Sequence, residues 1–154
     1  MKIRKARLSD LGELIELEEK ITAMHGQLDS FYEEAKNSEK ETKKFLKEQI
    51  KSKDSCIFVA EDESRIIGYI IPNIARMSKI FKVKEFGRIF SIFVLEKYRN
   101  KRIAKALFEE SYKWFKTRKI KWVELSVHFK NKGGIKFWEK SGFKTTNFKM
   151  RKLL

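Results

Sequence analysis

The 154-residue sequence has one cysteine, one proline, seven glycines and two histidines. A lone Cys56 excludes an intrachain disulfide, and His25 and His128 are too far apart in sequence to form a metal-ligand spacing, so no metal site is expected. Long apolar runs are also missing. The longest charge-free one, residues 66–75, is too short to span a bilayer, and the charged N-terminus has no apolar segment of the kind that opens a signal peptide. A cytoplasmic protein with no membrane partner is expected. Cys56 opens the apolar run CIFVA and reads more readily as a core thiol than as a nucleophile.

Hydrophobic residues make up 42% of the chain. A chain of this size buries roughly 70% of its unfolded surface, which suits a single domain over residues 1–154. The net charge of +15 is unevenly placed. Residues 1–70 hold 13 Lys and Arg against 15 Asp and Glu, whereas residues 71–154 hold 23 against 6. The C-terminal half therefore carries a strong positive field, and its expected partner is an anion: a phosphate, a nucleotide or nucleic acid.

KIRKAR alternates as a strand does, and Leu11, Leu14, Ile15 and Leu17 follow at helical spacing behind a Ser9 or Asp10 cap. Helical patterning resumes between Leu28 and Lys53 in two pieces, with Ser38 and Glu41 spaced as a capping box. CIFVAED and RIIGYIIP read as a hairpin turning at Asp62 to Ser64, and a basic connector from Arg76 to Lys84 leads to the strand GRIFSIFVL. A helix over Lys101 to Arg118, a strand KWVELSVHF, a short helix from Asn131 to Lys140 and one or two closing strands complete the order. The pattern predicts an α/β fold, with a mixed, mostly antiparallel central sheet flanked by helices on both faces.

The segment YRNKRIAKAL, residues 98–107, joins a strand to a helix with four basic residues and no glycine. A strand, a tight turn and a helix start together form an anion cradle, because the first helical N–H groups are free and the helix dipole is positive there. The glycine patterns of the Walker A and dinucleotide-binding turns are both absent.

Arg99, Asn100, Lys101, Arg102, Ile103 and Ala104 resemble the Arg/Gln-x-x-Gly-x-Gly/Ala signature of the GCN5-related N-acetyltransferase family, with Arg102 where the family has its first glycine. The resemblance extends in order along nearly the whole chain, through KIRKARLSDLGELIEL, CIFVAEDESRIIGYI, IFSIFVLEKYRNKRIAKAL and ELSVHFKNKGGIKFWEKSGFK. It implies an acyl-CoA N-acyltransferase fold and acetyl-CoA as the cofactor. The pyrophosphate would lie on backbone amides of Arg99 to Lys105, the pantetheine arm beside Ile92, Phe93 and Val94, and Asn131 would make a further contact. If position 102 needs a positive φ, Arg102 is strained there by about 1 kcal/mol or more.

Acetyl transfer to an amine needs a base or water relay and, ideally, an acid for the leaving thiolate. Two positions depart from the family. Its usual acid is a tyrosine seven residues after the asparagine; here that residue is Trp138, whose indole cannot give up its proton and which would instead line the pantetheine or the core. Its glutamate on the strand after the cofactor helix is here Ser126. Glu124 and His128 flank Ser126 on the same face, and His128 is the first choice of base, Glu124 the second.

Glu85 is a further candidate on position, and His25 lies where the family builds part of its acceptor site. Glu13, Glu16, Glu18 and Glu19 supply either an acidic acceptor groove or a solvated helix face. The acceptor is read as a protein N-terminus ahead of a small amine. The alternative is a weak or inactive module of the same fold that binds nucleic acid or a ribosome through its basic half, with Tyr98 and Tyr112 available to stack on bases. The two can coexist in an enzyme acting on ribosome-associated proteins.

Overall fold

The computed structural model describes residues 1–154. The chain runs β1 (Lys2–Lys5), α1 (Leu11–Leu28), α2 (Glu39–Lys51), β2 (Phe58–Asp62), β3 (Arg65–Arg76), β4 (Glu85–Val94), α3 (Ile103–Thr117), β5 (Val123–Leu125) and α4 (Lys132–Lys140). Short 3-10 turns occupy Leu8–Asp10, Ser30–Tyr32 and Glu96–Tyr98. One five-stranded sheet runs in the order β1-β2-β3-β4-β5. Its first three pairings are antiparallel and only β4 with β5 is parallel, so the sheet is mixed and mostly antiparallel as expected.

Both faces of the sheet are buried, which is why β3 reads as a continuous apolar run over Ile66–Pro72 instead of alternating. On one face α1 and α2 cover a cluster that includes Leu14, Leu17, Leu46, Tyr69, Ile71 and Phe93. On the other, α3 and Trp138 of α4 cover Ile70, Ile89, Val94, Ile103, Leu107 and Phe115. Cys56 belongs to this second cluster, and burial pushes its thiol up to about 12, the state of an inert core residue.

Two local irregularities position the site. The β2–β3 hairpin turns at Glu63 and Ser64, whose φ values of 47° and 63° suit a two-residue loop. In the β3–β4 ladder Ile71 faces Ser91 but Pro72 faces Ile89, so β4 carries one extra residue, Phe90. Pro72 has no N–H for the ladder, and a bulge is where a strand tolerates it.

Several details differ from the sequence reading. No strand follows α4; residues 143–154 have no regular structure, and Phe148, Met150, Leu153 and Leu154 are exposed. Alternation there leaves neither face apolar enough to repay ordering, since lysines, threonines and an asparagine interrupt both. β5 is likewise confined to Val123–Leu125.

Ser38 does not form the capping box. Its backbone is already helical, and its hydroxyl donates to Glu34 instead. Asp10 precedes α1, but its carboxylate accepts from the Arg7 N–H at 2.6 Å and the Arg4 guanidinium at 2.7 and 3.0 Å. It thereby ties β1 to the helix start, and the Arg4 hydrogen bonds hold its carboxyl below the usual range.

Candidate active site

Parallel strands β4 and β5 meet over three residue pairs only, Gly87–Ile89 with Val123–Leu125. Beyond Ile89, β4 continues to Val94 against β3 alone. The other edge of Ile92, Phe93 and Val94 therefore has no strand along it, and β5 ends where this open edge begins, with only the Val94 carbonyl taken up, by Arg99 Nε.

The open edge leads into the turn before α3. Arg102 is the residue before the helix, with φ 62° and ψ 11°, and Asn100 also has φ 63°. Both lie in the left-handed region that favours glycine; asparagine tolerates it, so the strain foreseen falls on Arg102. In return, the backbone swings so that the amides of Ile103, Ala104 and Lys105 have no acceptor in the protein; the first amide bonded back across the helix start is that of Ala106, to the Arg102 carbonyl at 3.0 Å. Three free N–H groups with the helix dipole behind them form an anion cradle.

The side chains around it anchor the turn. The Arg99 Nε donates to the Val94 carbonyl at 3.2 Å and its guanidinium lies over the Phe93 ring, while Lys97 and Lys101 flank the Tyr98 ring. Ile103 is buried and Ala104 half-buried in the second core cluster, fixing the first helical turn against the sheet.

Asn131 caps α4, its Oδ1 accepting from the Gly134 N–H at 2.9 Å, which leaves the Nδ2 hydrogens for another partner. A Cβ on Gly134 would meet Nδ2 at 2.7 Å, so a larger residue there would push the Asn131 cap aside. Trp138 is buried and packs edge-on against Phe108, Phe137 and Phe143, as a core residue.

Of Glu124, Ser126 and His128 only Glu124 lies on β5, which ends at Leu125, so the strand face expected to align them is not formed; Glu124 and Ser126 are exposed and His128 is half-buried. The His128 Nδ1 accepts from the Lys130 N–H at 3.2 Å, and its Nε2 faces Asp29 at 3.5 Å. The Nδ1 lone pair is thus taken by the Lys130 amide, and the Nε2 side is turned to Asp29, away from any open cleft. Asp29 is shared with Arg151, whose hydrogen bond keeps the carboxyl low. Glu85 pairs with Arg76 at the far end of β4, ten residues of strand away from the cradle.

On the opposite face, α1, α2 and the bulge of β4 enclose an open groove of about 440 Å³. It is lined by Glu18, Ile21, Thr22 and His25 from α1, Glu41, Thr42 and Phe45 from α2, and Phe90 and Ser91 from β4. The bulge explains the last pair, since an extra residue breaks strand alternation and lets two successive side chains turn to one face. Phe90 meets Phe45 at 4.9 Å between ring centres, and Ser91 bonds the Tyr69 hydroxyl at 2.9 Å.

His25, placed in the acceptor region by resemblance, does line this groove, and burial first, then the neighbouring His128 ring, lowers its tendency to protonate. Of the four helix glutamates only Glu18 faces it; Glu13 instead accepts from the Ile66 N–H at 2.8 Å. The basic connector, Arg76 to Lys84, lies at the other end of the sheet.

The groove was not foreseen as a unit. Its signals were present in retrospect: Glu18 and His25 occupy the apolar stripe of α1, following Leu14 and Ile15 at helical spacing, and Pro72 marks the bulge.

A model of the acetyltransferase (GNAT) family matches residues 21–143, and the chain belongs to that family. Among curated proteins it is 33% identical over 105 residues to an N-alpha-acetyltransferase of Sulfurisphaera tokodaii, covering 65% of this chain and 63% of that one. It is 31% identical over 141 residues to the uncharacterized N-acetyltransferase MJ1207 of Methanocaldococcus jannaschii, covering 92% of this chain and 59% of that protein. The chain thus spans less than two thirds of the length of these relatives. A predicted acetyltransferase from Clostridium acetobutylicum, solved with acetyl-CoA, has the same fold with a TM-score of 0.79 at 19% identity, over 99% of this chain and 95% of the other. No helix is long and apolar enough to cross a membrane.

Proposed function

We propose that this chain is a single acetyltransferase domain that uses acetyl-CoA to acetylate a primary amine, with a protein N-terminus ahead of a small free amine. The observation that carries the reading is the succession, within fourteen residues, of a β4 edge with no neighbouring strand at Ile92–Val94 and three acceptor-free amides at Ile103–Lys105. Such a succession suits a ligand with an amide-bearing arm at one end and a pyrophosphate at the other. Family membership and acetyl-CoA in the Clostridium structure support the same ligand. The N-alpha-acetyltransferase name of the Sulfurisphaera relative supports the choice of acceptor.

Positioning alone can supply about 7–11 kcal/mol of the barrier, so the absence of an acid at Trp138 slows the reaction without abolishing it. The C-terminal half is strongly positive, and α2 carries a second basic stripe in the acidic half, where Lys40, Lys43, Lys44, Lys47 and Lys51 border one depression with Glu48. This charge favours a ribosomal or nucleic-acid-associated substrate over a non-catalytic binding role, because the cradle is retained.

Calorimetric titration with acetyl-CoA at low and moderate salt tests the reading. One-to-one binding that survives moderate salt is the expected result; heat that vanishes with salt would turn the assignment to polyanion binding. Release of coenzyme A thiol in the presence of peptides with free and blocked N-termini then identifies the acceptor.

A further inference from the structure

We propose that Glu18 is the catalytic base that selects an ammonium group in the groove between α1, α2 and β4 and takes its proton before acetyl transfer. This rests on the acetyltransferase reading above and assigns a residue that the family signature does not mark.

A carboxylate on the buried stripe of a helix needs a reason, because desolvation makes it costly unless it is paired. Glu18 has no such pairing. Its Oε1 is closed off from solvent and has no hydrogen-bond partner, and no lysine or arginine lines the groove. The hydroxyls of Tyr69 and Ser91 lie beside the carboxylate and favour its charged form, but burial outweighs them and raises its proton affinity. The remaining titratable neighbours are His25 on the same helix and Glu41 on α2. A buried, unpaired anion facing a cavity is the complement of a cation, and the Glu18 oxygen left without a partner is of the type an ammonium N–H would satisfy. The terminal torsion of glutamate is soft, so either oxygen can be presented.

Position supports the same role. Ser91 lines the groove and is followed directly by Ile92–Val94, whose open edge is assigned to the arm of the acyl donor. An amine held at Glu18 therefore waits beside the strand along which the thioester would lie. The ammonium gives one proton to the Glu18 carboxylate, and its freed lone pair forms the bond to the thioester carbonyl carbon. The carbon–sulfur bond then breaks, the departing thiolate takes the second proton lost by the new amide nitrogen, and Glu18 returns its proton to solvent. Phe45, Phe90 and Ile21 make the rest of the wall apolar, so the preferred acceptor is a primary amine carried on an apolar group, such as an N-terminal Met.

The test uses the full chain and its Glu18→Gln variant, with acetyl-CoA as donor and two acceptors: a short peptide with a free N-terminal Met, and n-butylamine. The expected result has three parts. Acetyl-CoA binding stays within about twofold of wild type; kcat/KM for both amines falls about 100-fold or more, and the acid limb of the wild-type pH profile disappears. Thermal stability at neutral pH rises, because the variant removes a buried charge that the fold pays to keep. The sign follows from the raised proton affinity: wild type loses stability as pH rises through the ordinary carboxylate value near 4.5, and the variant does not.

A variant that keeps kcat/KM within threefold with the acid limb intact overturns the assignment. So does one that melts lower and loses activity only in proportion to unfolding, which would make Glu18 structural. A wild-type protein that binds acetyl-CoA but acetylates neither amine also overturns it. Failure of wild type to bind acetyl-CoA is a different result, and overturns the acetyltransferase reading itself.

Discussion

The cradle at the start of α3 and the groove between α1, α2 and β4 are built of different material. In the cradle, backbone does the work: free amides, two left-handed residues and an unpaired strand edge, all within residues 90–105. In the groove, side chains do the work, drawn from residues 18–25, 41–45, 69 and 90–91. A backbone site tolerates changes of side chain provided the turn is kept, which explains how Arg102 can stand where the family signature has glycine. A side-chain site tolerates no such change, because its chemistry is the residue itself.

This contrast can be broken at each end. The largest expected effect is at Ala104, half-buried at the first turn of α3. Ala104→Glu places a carboxylate against the proposed pyrophosphate position and should weaken acetyl-CoA about 100-fold or more, roughly 3 kcal/mol, while circular dichroism stays that of the folded protein. Unchanged affinity by calorimetry would put the ligand elsewhere.

Tyr69→Phe acts on the groove side only. Loss of the hydroxyl bonded to Ser91 at 2.9 Å should cost about 1 kcal/mol of stability and alter the KM for the amine, leaving the acetyl-CoA Kd within twofold. If both constants moved together, cradle and groove would be a single coupled unit.

Arg102→Gly sharpens the backbone argument. Relief of the φ of 62°, about 1–2 kcal/mol, less the greater entropy glycine has when unfolded, should leave a net gain of about 0.5–1 kcal/mol in chemical denaturation. Acetyl-CoA binding should persist but vary less with salt, since one cation is gone. A loss of binding would show that the Arg102 side chain, and not its backbone, holds the phosphates.

The smallest effect belongs to His25. Burial lowers its folded-state affinity for a proton, so the unfolded chain protonates first and stability falls as pH drops through about 6.5 toward the lower folded value. Thermal melts of His25→Gln between about pH 7.5 and 5 should be flatter than those of wild type.

Much of the fold was legible from the pattern: the order of elements through α4, the hairpin at Glu63–Ser64 and the apolar layers on both sheet faces. The expected closing strands after Phe143 were not, because single strong residues such as Phe148 suggest a strand where no face is apolar enough to bury. The turn into a helix over Arg99 to Lys105, with its free amides, was readable because helix starts depend on neighbours in sequence. His128 was attractive for its chemistry alone, and only the fold reveals that Lys130 and Asp29 occupy both of its nitrogens.

By itself the sequence determined what depends on near neighbours: where strands and helices form, which stripes are apolar, where charge accumulates and where an anion cradle begins. Tertiary structure alone decided which of several glutamates and histidines is buried without a partner and which is spent on a cap or an ion pair. Burial and pairing join residues tens of positions apart, Glu18 with Tyr69 and Ser91, His128 with Asp29. No local pattern carries that information, because the cost of desolvating a charge is set by what the whole fold packs against it.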